Sequence, residues 1–145
     1  MASDKISSSD KEMIVAAIKA AEKETSGEVQ VHIDNHCKEE VLDRAAFMFK
    51  TLKMHKTKER NGVLFYLAIK DHKFAILGDA GINQKVDDNF WDNIKEEMAS
   101  LFKTGKIAEG LSKGIKMAGL QLAQHFPYQA DDENELSDEI SFGKD

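Results

Sequence analysis

The chain has little cysteine, little proline and no long apolar segment, and each shortage excludes a class of protein. Cys37 is the one cysteine among 145 residues, so no disulfide can form within the chain, which favours a reducing compartment. The first nine residues lack the apolar core of a secretory signal, and no run approaches the roughly 20 apolar residues of a membrane span. We therefore expect a cytoplasmic protein with no membrane span in this chain.

Charge is unevenly spread, because the net charge of -6 belongs to the end of the chain. From Tyr128 onward there are seven acidic residues and one basic residue, whereas residues 1–127 are balanced. A domain with no excess of positive charge is not expected to bind nucleic acid. Arginine is scarce too: Arg44 and Arg60 are the only two. Only arginine offers a rigid fork for two hydrogen bonds to a carboxylate or phosphate, so each one is of interest.

Hydrophobic periodicity predicts the element order α-β-α-β-β-α-α. Apolar residues at helical spacing predict helices at about 9–25, at about 38–54, from Asp87 or Asp88 to Gly105, and at about 106–125. Apolar runs predict strands at about 28–34, 63–69 and 73–78, the first half-buried and the second covered on both faces. Ser9 and Glu12 have the spacing of a capping box for the first helix.

The order of elements predicts an α/β fold. The first two strands are joined by a helix and should be parallel, whereas the third should form an antiparallel hairpin with the second. Helices on both faces give a three-layer α/β/α sandwich around a small mixed sheet of three strands. We expect a single domain over 9–127, flexible residues 1–8, and an acidic, disordered tail at 128–145.

Strand direction gathers three polar segments at one edge of this sheet. Glu28 begins the first strand, Arg60 and Asn61 precede the second, and Asp79 follows the third. Two beginnings and the end of an antiparallel strand meet at the same edge, so these four residues should form one polar cluster. This cluster is the best candidate for a functional site.

The cluster contains the ligands of a hard cation. Carboxylates, an amide and backbone carbonyl groups favour Ca²⁺ or Mg²⁺ over Zn²⁺. Carboxylates brought together repel one another unless a cation or an arginine compensates their charge. The expected metal ligands are Glu28 and Asp79, with Asn61, Asp87 and Asp88 as weaker candidates.

A purely structural explanation of these residues stays open. Asp79 could accept N–H groups of its turn, Asp88 could cap the third helix, and Arg60 could pair with Glu28. The spacing of Asp79, Gly81 and Asn83 matches only a fragment of a calcium-binding loop.

Other motifs that carry chemistry are weak or missing. His32 and His36 lie near Cys37, but one belongs to a predicted strand and the other to a loop, so they lack the fixed geometry by which a helix presents two zinc ligands at i,i+4. The sequence has no Walker loop, no GxGxxG motif and no serine in a nucleophile elbow.

Several short motifs, in this order and at this spacing, resemble the TPM domain family, which occurs in bacterial membrane-associated proteins and in thylakoid-lumen proteins of photosystem II repair. The matching residues are Ala21-Glu22, Thr25-Ser26-Gly27-Glu28-Val29, Ala45, Phe49, Arg60-Asn61-Gly62-Val63-Leu64, Gly78-Asp79-Ala80-Gly81-Ile82, Trp91 and Gly110-Leu111. The resemblance covers residues 6–127. The resemblance implies a Rossmann-like α/β/α sandwich, a divalent-cation site at Glu28 and Asp79, and, as in some plant members, acid phosphatase activity.

Two functions are compatible with these observations. The first is a cation-binding interaction or regulatory module, in which Ca²⁺ or Mg²⁺ orders the loops near residues 25, 60 and 80 for a protein partner. The alternative is a metal-dependent phosphomonoester hydrolase, in which Glu28 and Asp79 hold the metal and Arg60 holds the phosphate. The candidate catalytic residues are then Asp79, Glu28 and Arg60, and the sequence shows no clear nucleophile.

Overall fold

The computed structural model describes residues 2–129 and 137–143. Its elements, in chain order, are α1 (Ser8–Glu22), β1 (Glu28–Asp34), α2 (Val41–Thr51), β2 (Gly62–Ala68), β3 (Lys73–Gly78), α3 (Ala80–Asn83), α4 (Asn89–Phe102), α5 (Ile107–His125) and β4 (Ser141–Phe142). Two short 3-10 helices, Ala2–Lys5 and Met54–Lys56, precede α1 and β2. All seven predicted elements are present, and β1 and β3 have the predicted bounds.

The sheet has four strands in the order β3-β2-β1-β4. β1 and β2 are parallel, with Glu28 opposite Gly62, and β2 and β3 are antiparallel, with Val63 opposite Gly78. This arrangement confirms the predicted α/β fold with a parallel pair and an antiparallel hairpin. The number of strands was wrong: β4 adds a fourth, parallel to β1, with Ser141 opposite His32.

Helices cover both faces of the sheet. On one face, β1, β2 and β3 pack against α1, α4 and α5; this core includes Ile14, Ile18, Val31, Ile33, Phe65, Ile76, Ile94, Met98, Leu111 and Ile115. On the other face, α2 packs on β2 and β3; this layer includes Ala45, Met48, Phe49, Leu64, Tyr66 and Ala75. None of the helices in residues 2–129 and 137–143 is long and apolar enough to cross a membrane.

β1 differs from the prediction in its burial. The alternation of apolar and polar residues predicted a half-buried strand, yet all seven residues of β1 are buried. On the polar side, Arg44 of α2 donates to Asp34, and Ser141 of β4 contacts the ring of His32. The polar residues Gln30 and His32 on this side are therefore shielded from water and need partners inside the protein.

Both ends of the chain differ from the prediction. Residues 1–8 were expected to be flexible, but Ala2–Lys5 form a 3-10 helix, and Ala2 and Ile6 are buried in the core. Ser7, rather than Ser9, caps α1 by accepting the N–H of Asp10. Within the segment expected to be a disordered tail, residues 141–142 form β4; residues 130–136 and 144–145 lie outside the described residues.

Candidate functional site

The main chain brings the three polar segments to one edge of the sheet, as the strand directions predict. Glu28 is opposite Gly62 across the parallel pair, and the N–H of Asp79 donates to the carbonyl oxygen of Gly62 at 2.9 Å. Glu28 and Asp79 therefore flank the first residue of β2. Both side chains are buried, with 2% and 7% of the residue exposed. We call this the polar edge.

On the β3 side of the polar edge, Arg60 holds Asp79. Nε and Nη2 of Arg60 donate to the two carboxylate oxygens of Asp79 at 2.7 and 2.8 Å. Asp79 also caps α3 by accepting the N–H of Ala80 at 2.7 Å. The hydrogen bonds and charge of Asp79 raise the pKa of Arg60. Both oxygens of Asp79 are thus engaged within the protein, and the predicted alternative pair of Arg60 with Glu28 does not form.

The loop that carries Arg60 is fixed by a close backbone approach. Arg60 itself has a left-handed backbone, with φ of 55°. Its carbonyl oxygen accepts the N–H of Gly81 at 2.8 Å. A Cβ on residue 81 would lie 2.2 Å from the carbonyl oxygen of Glu59 and 2.5 Å from that of Arg60. Only glycine fits at position 81, which explains one of the glycines in the motif after β3.

On the β1 side, Glu28 lies in a different group of side chains. Glu22, in the last turn of α1, accepts the N–H of Val29 at 2.8 Å. Burial, together with side-chain hydrogen bonds to Asp138 and Glu28, raises the pKa of Glu22 from its ordinary 4.5 to about 10. At neutral pH these carboxyl groups therefore hold a proton between them. We call Glu22, Glu28 and Asp138 the acidic group.

Between these two sides lies a polar contact that the sequence did not predict. Ser26 donates to Glu59 at 2.9 Å, and the amide nitrogen of Asn61 lies 3.5 Å from Ser26 Oγ and 3.5 Å from Glu59 Oε2. The side-chain amide of Asn61 is therefore directed toward Ser26 and Glu59. Glu59 was missed because one acidic residue in a polar loop gives no periodic signal.

The remaining predicted residues lie after β3. Asp87 and Asp88 are exposed in the loop before α4, and Asp88 occupies the cap position without a side-chain capping bond. The side-chain oxygen of Asn83 accepts the indole N–H of Trp91 at 2.9 Å. The carboxamide oxygen that a calcium loop would use at position 83 is therefore already engaged.

The donor chemistry fits a hard cation in part. Glu28 is a buried oxygen donor beside the partly buried Glu22, whereas Asp79 is already neutralised by Arg60. Across residues 2–129 and 137–143, no three His, Cys, Asp or Glu side chains are arranged to hold a metal. A cation at the polar edge would therefore need side chains to move, with backbone or amide oxygens completing its ligands.

A second group of polar residues lies on the α2 face of the sheet, and sequence reasoning missed it. His32 Nδ1 is 2.7 Å from Ser141 Oγ, and His32 Nε2 is 2.9 Å from Asp34 Oδ1. Asp34 Oδ2 accepts the hydroxyl of Tyr66 at 2.6 Å and Nε of Arg44 at 3.0 Å. The sequence signal for this group is the alternation of polar residues in β1. It indicates buried polar side chains only once the strand is known to be buried on both faces.

The fold and the polar edge define an α/β protein whose mixed sheet carries buried acidic residues at the edge where its parallel strands begin. Its sequence matches the TPM domain over residues 2–121, and the chain belongs to this family. The resemblance noted from the sequence motifs is therefore confirmed. No curated protein sequence matches the chain.

Three solved structures are similar to this chain. The NMR structure of the BA42 protein from the psychrophilic bacterium Bizionia argentinensis is 45% identical, covers 95% of each chain and has a TM-score of 0.89. The N-terminal domain of cg2496 from Corynebacterium glutamicum is 18% identical, with coverages of 82% and 75% and a TM-score of 0.62. The N-terminal domain of a P. gingivalis protein is 19% identical, with coverages of 86% and 82% and a TM-score of 0.65. The last two show the shared fold alone.

Proposed function

We propose that this domain binds a divalent cation, Ca²⁺ or Mg²⁺, at the polar edge and acts as an interaction or regulatory module. The observation that carries the proposal is the placement of two buried carboxylates, Glu28 and Asp79, on either side of Gly62. Three loops end at this edge. A bound cation would order the loops near residues 25, 60 and 80 and so create a surface for a protein partner.

The acidic group supports the choice of Glu28 as a ligand. Negative charges that are close together and shielded from water need compensation, and here the proton of Glu22 supplies it. A divalent cation would neutralise the same carboxylates and displace that proton, because metal ligands bind in their deprotonated form. Cation binding should therefore release a proton.

Asp79 can join such a site only if Arg60 moves. The side chain of Arg60 is 52% exposed, so its guanidinium can turn into water while the cation takes over the compensation of the buried Asp79 carboxylate. The released carboxylate would offer two hard oxygens beside the first turn of α3. Asn61, Asp87 and Asp88 would be further ligands. Asp87 and Asp88 lie in the loop before α4, and this loop would have to bring their carboxylates to the cation.

The test is a calcium and magnesium titration of the full chain by calorimetry in two buffers of different ionisation enthalpy, with amide NMR spectra in parallel. We expect proton release and amide shifts around residues 28, 60 and 79. Glu28→Gln should abolish binding, Asp79→Asn should weaken it, and the exposed Asp92→Asn should leave it unchanged. Shifts confined to other parts of the chain would refute the proposal.

The alternative function, hydrolysis of phosphate monoesters, needs the fork of Arg60 for the phosphate. In the structure that fork holds Asp79, so hydrolysis needs the same release of Arg60 as cation binding does and, in addition, a group that activates the attacking water; we therefore retain the binding module as the proposal. Turnover of p-nitrophenyl phosphate that survives purification and disappears in Asp79→Asn would reverse this choice.

A further inference from the structure

The strongest unexplained feature is a chain of hydrogen bonds that links β4 to the carboxyl end of β1. We call it the relay. It runs from Ser141 through the imidazole of His32 to Asp34, which is held in turn by Tyr66 and Arg44. His32 and Asp34 are each 2% exposed. The relay lies at residues 32 and 34 of β1, whereas the polar edge lies at residue 28.

The proton positions in the relay follow from Asp34. Burial alone would raise the pKa of Asp34, but hydrogen bonds from His32, Arg44 and Tyr66 outweigh it and hold the pKa well below its usual range. An ionised carboxylate can only accept, so Nε2 of His32 carries a proton and donates to it. When the ring is neutral, Nδ1 is the acceptor and takes the hydroxyl hydrogen of Ser141, whose Oγ is 2.7 Å away. This is the arrangement that activates a serine, with the two ring nitrogens exchanged relative to the familiar proteases.

Ser141 also borders open space. It lines a cleft of about 540 Å³ between the end of α2 and the segment that leads into β4. Among the residues that the structure describes, the charged ones that line this cleft are Lys53, Lys56 and Glu139. Their formal charges sum to one positive charge, which favours a small anionic ligand over a neutral or cationic one.

We propose that Ser141 is the nucleophile of a hydrolytic site, with His32 as its general base and Asp34 as a positioning residue, and that the cleft takes small carboxylic esters that carry a negative charge. The proposal rests on hydrogen-bond geometry and on the cleft, and it is independent of the proposed cation site. The hydrogen bonds connect Ser141 to His32 and His32 to Asp34, and nucleophilic catalysis requires this connection of a nucleophile, a base and a group that orients the base.

The reaction balances without a metal or a redox partner. Ser141 Oγ attacks the ester carbonyl carbon while its proton passes to His32 Nδ1, and a carbon–oxygen bond forms. The bond to the leaving alcohol then breaks, and the alcohol takes the proton from His32. In the second half, water attacks the acyl-serine, again giving a proton to His32, and the carboxylic acid leaves as Ser141 regains its hydrogen. Lys53 and Lys56 supply positive charge in the cleft for the anionic substrate.

The first experiment labels the full chain with an alkyl fluorophosphonate and locates the adduct by mass spectrometry of peptides. We expect one adduct, on Ser141, formed at least ~100-fold faster than on Ser137, which lines the same cleft but has no place in the relay. Ser141→Ala should abolish the adduct, and the exposed Ser100→Ala should not change its rate. No adduct, or equal rates at Ser141 and Ser137, would overturn the proposal.

The base is tested separately. His32→Gln should lower the labelling rate of Ser141 by ~100-fold or more, as expected for the loss of a general base. Because His32 is buried, this variant could fail to fold, so wild-type chain is also labelled in concentrated urea, where the relay is absent. There the rate at Ser141 should fall to that of the other serines. A rate at Ser141 that is the same with and without the relay would refute the role of His32.

Substrate class and the role of Asp34 are tested by ester hydrolysis. A p-nitrophenyl ester of succinate, which is anionic, should turn over with a lower KM than the butyrate ester, which is neutral. Replacing Lys53 and Lys56 together by Gln should raise KM for the anionic ester only, whereas the exposed Lys103→Gln should not. Asp34→Asn should lower kcat with KM unchanged. Equal KM values for the two esters, or a change in KM alone for Asp34→Asn, would contradict these assignments.

Discussion

Arg60 and Asp79 are joined by two hydrogen bonds, of 2.7 and 2.8 Å, between one guanidinium and one carboxylate. The pair connects the residue before β2 to the residue after β3. Asp79 contributes to stability in two ways, because it holds Arg60 and also caps α3. Arg60 makes the ion pair alone, and its side chain is half exposed. The two partners should therefore differ in how much the fold depends on them.

Asp79→Ala should lower the free energy of unfolding by about 1–2 kcal/mol, since it removes the cap of α3 together with the acceptor for Arg60. Asp79→Asn keeps an oxygen for the N–H of Ala80 and should cost less. Arg60→Gln should cost less than Asp79→Ala, because Arg60 is itself half exposed and its loss leaves the cap of α3 in place. Urea unfolding ranks the three variants, and equal losses for Ala and Asn would argue against capping as the main contribution.

Glu22 should make the domain less stable as the pH rises. Its pKa is raised to about 10 in the folded state, so between its ordinary 4.5 and about 10 the folded state holds a proton that the unfolded state lacks. Stability from this group is complete below 4.5 and is lost as the pH rises through the folded value. The slope should stay under ~1.4 kcal/mol per pH unit, because the side chain is partly exposed.

Glu22→Gln tests this dependence, since the amide can donate to the acidic group without titrating. Urea unfolding between pH 6 and pH 9 should show a flatter profile for Glu22→Gln than for the wild type. The exposed Glu24→Gln should keep the wild-type slope. Parallel profiles for the wild type and Glu22→Gln would show that Glu22 is already ionised in the folded state.

Gly81→Ala should be strongly destabilising, because its Cβ would lie 2.2 Å from a backbone oxygen that no side-chain rotation can move. We expect a loss of about 1–3 kcal/mol, typical of overpacking. Gly105 is the contrast: its φ is 79°, but a Cβ there meets nothing within 4 Å. Gly105→Asn should therefore cost much less, since Asn tolerates this conformation. Thermal unfolding compares them, and similar losses would contradict the close approach at Gly81.

Tyr66→Phe should cost about 1.5–3 kcal/mol, because it deletes a buried hydrogen bond to the ionised Asp34. Tyr128 is half exposed, so Tyr128→Phe is a matched control and should change the unfolding free energy by less than ~0.5 kcal/mol. The phenol is a donor at all ordinary pH values, since burial and Asp34 raise the pKa of Tyr66 far above its usual range. Equal effects of the two substitutions would show that the bond is not formed.

Local patterns in the sequence were enough to predict most of the fold. The bounds of β3 follow from a tight turn on one side, where His72 has φ of 54°, and from Gly78 on the other. β4 could not be predicted, because it has only two residues and lies in an acidic segment, so it shows no alternation of apolar and polar residues. Its partner, His32, is more than one hundred residues away, and such a pairing is invisible to local patterns.

At the candidate site, backbone positions could be predicted and side-chain partners could not. Strand direction alone places Glu28 and Asp79 at one edge. Which carboxylate Arg60 binds depends on side-chain direction and on the left-handed turn at Arg60, and neither has a sequence signal. The partner of Glu28 was missed for a similar reason, since Glu22 belongs to the end of a helix and not to the strand.

β4 has a consequence for how the domain assembles. Until residues 141–142 arrive, the outer margin of β1 presents unpaired N–H and C=O groups, which other chains can pair with. The partner of β4 is more than one hundred residues away in the sequence, so we expect β4 to pair after the local contacts have formed. A nascent chain, or one cleaved before residue 141, would thus expose this edge of β1 to pairing with other chains, and β4 protects the edge at His32 and Ile33.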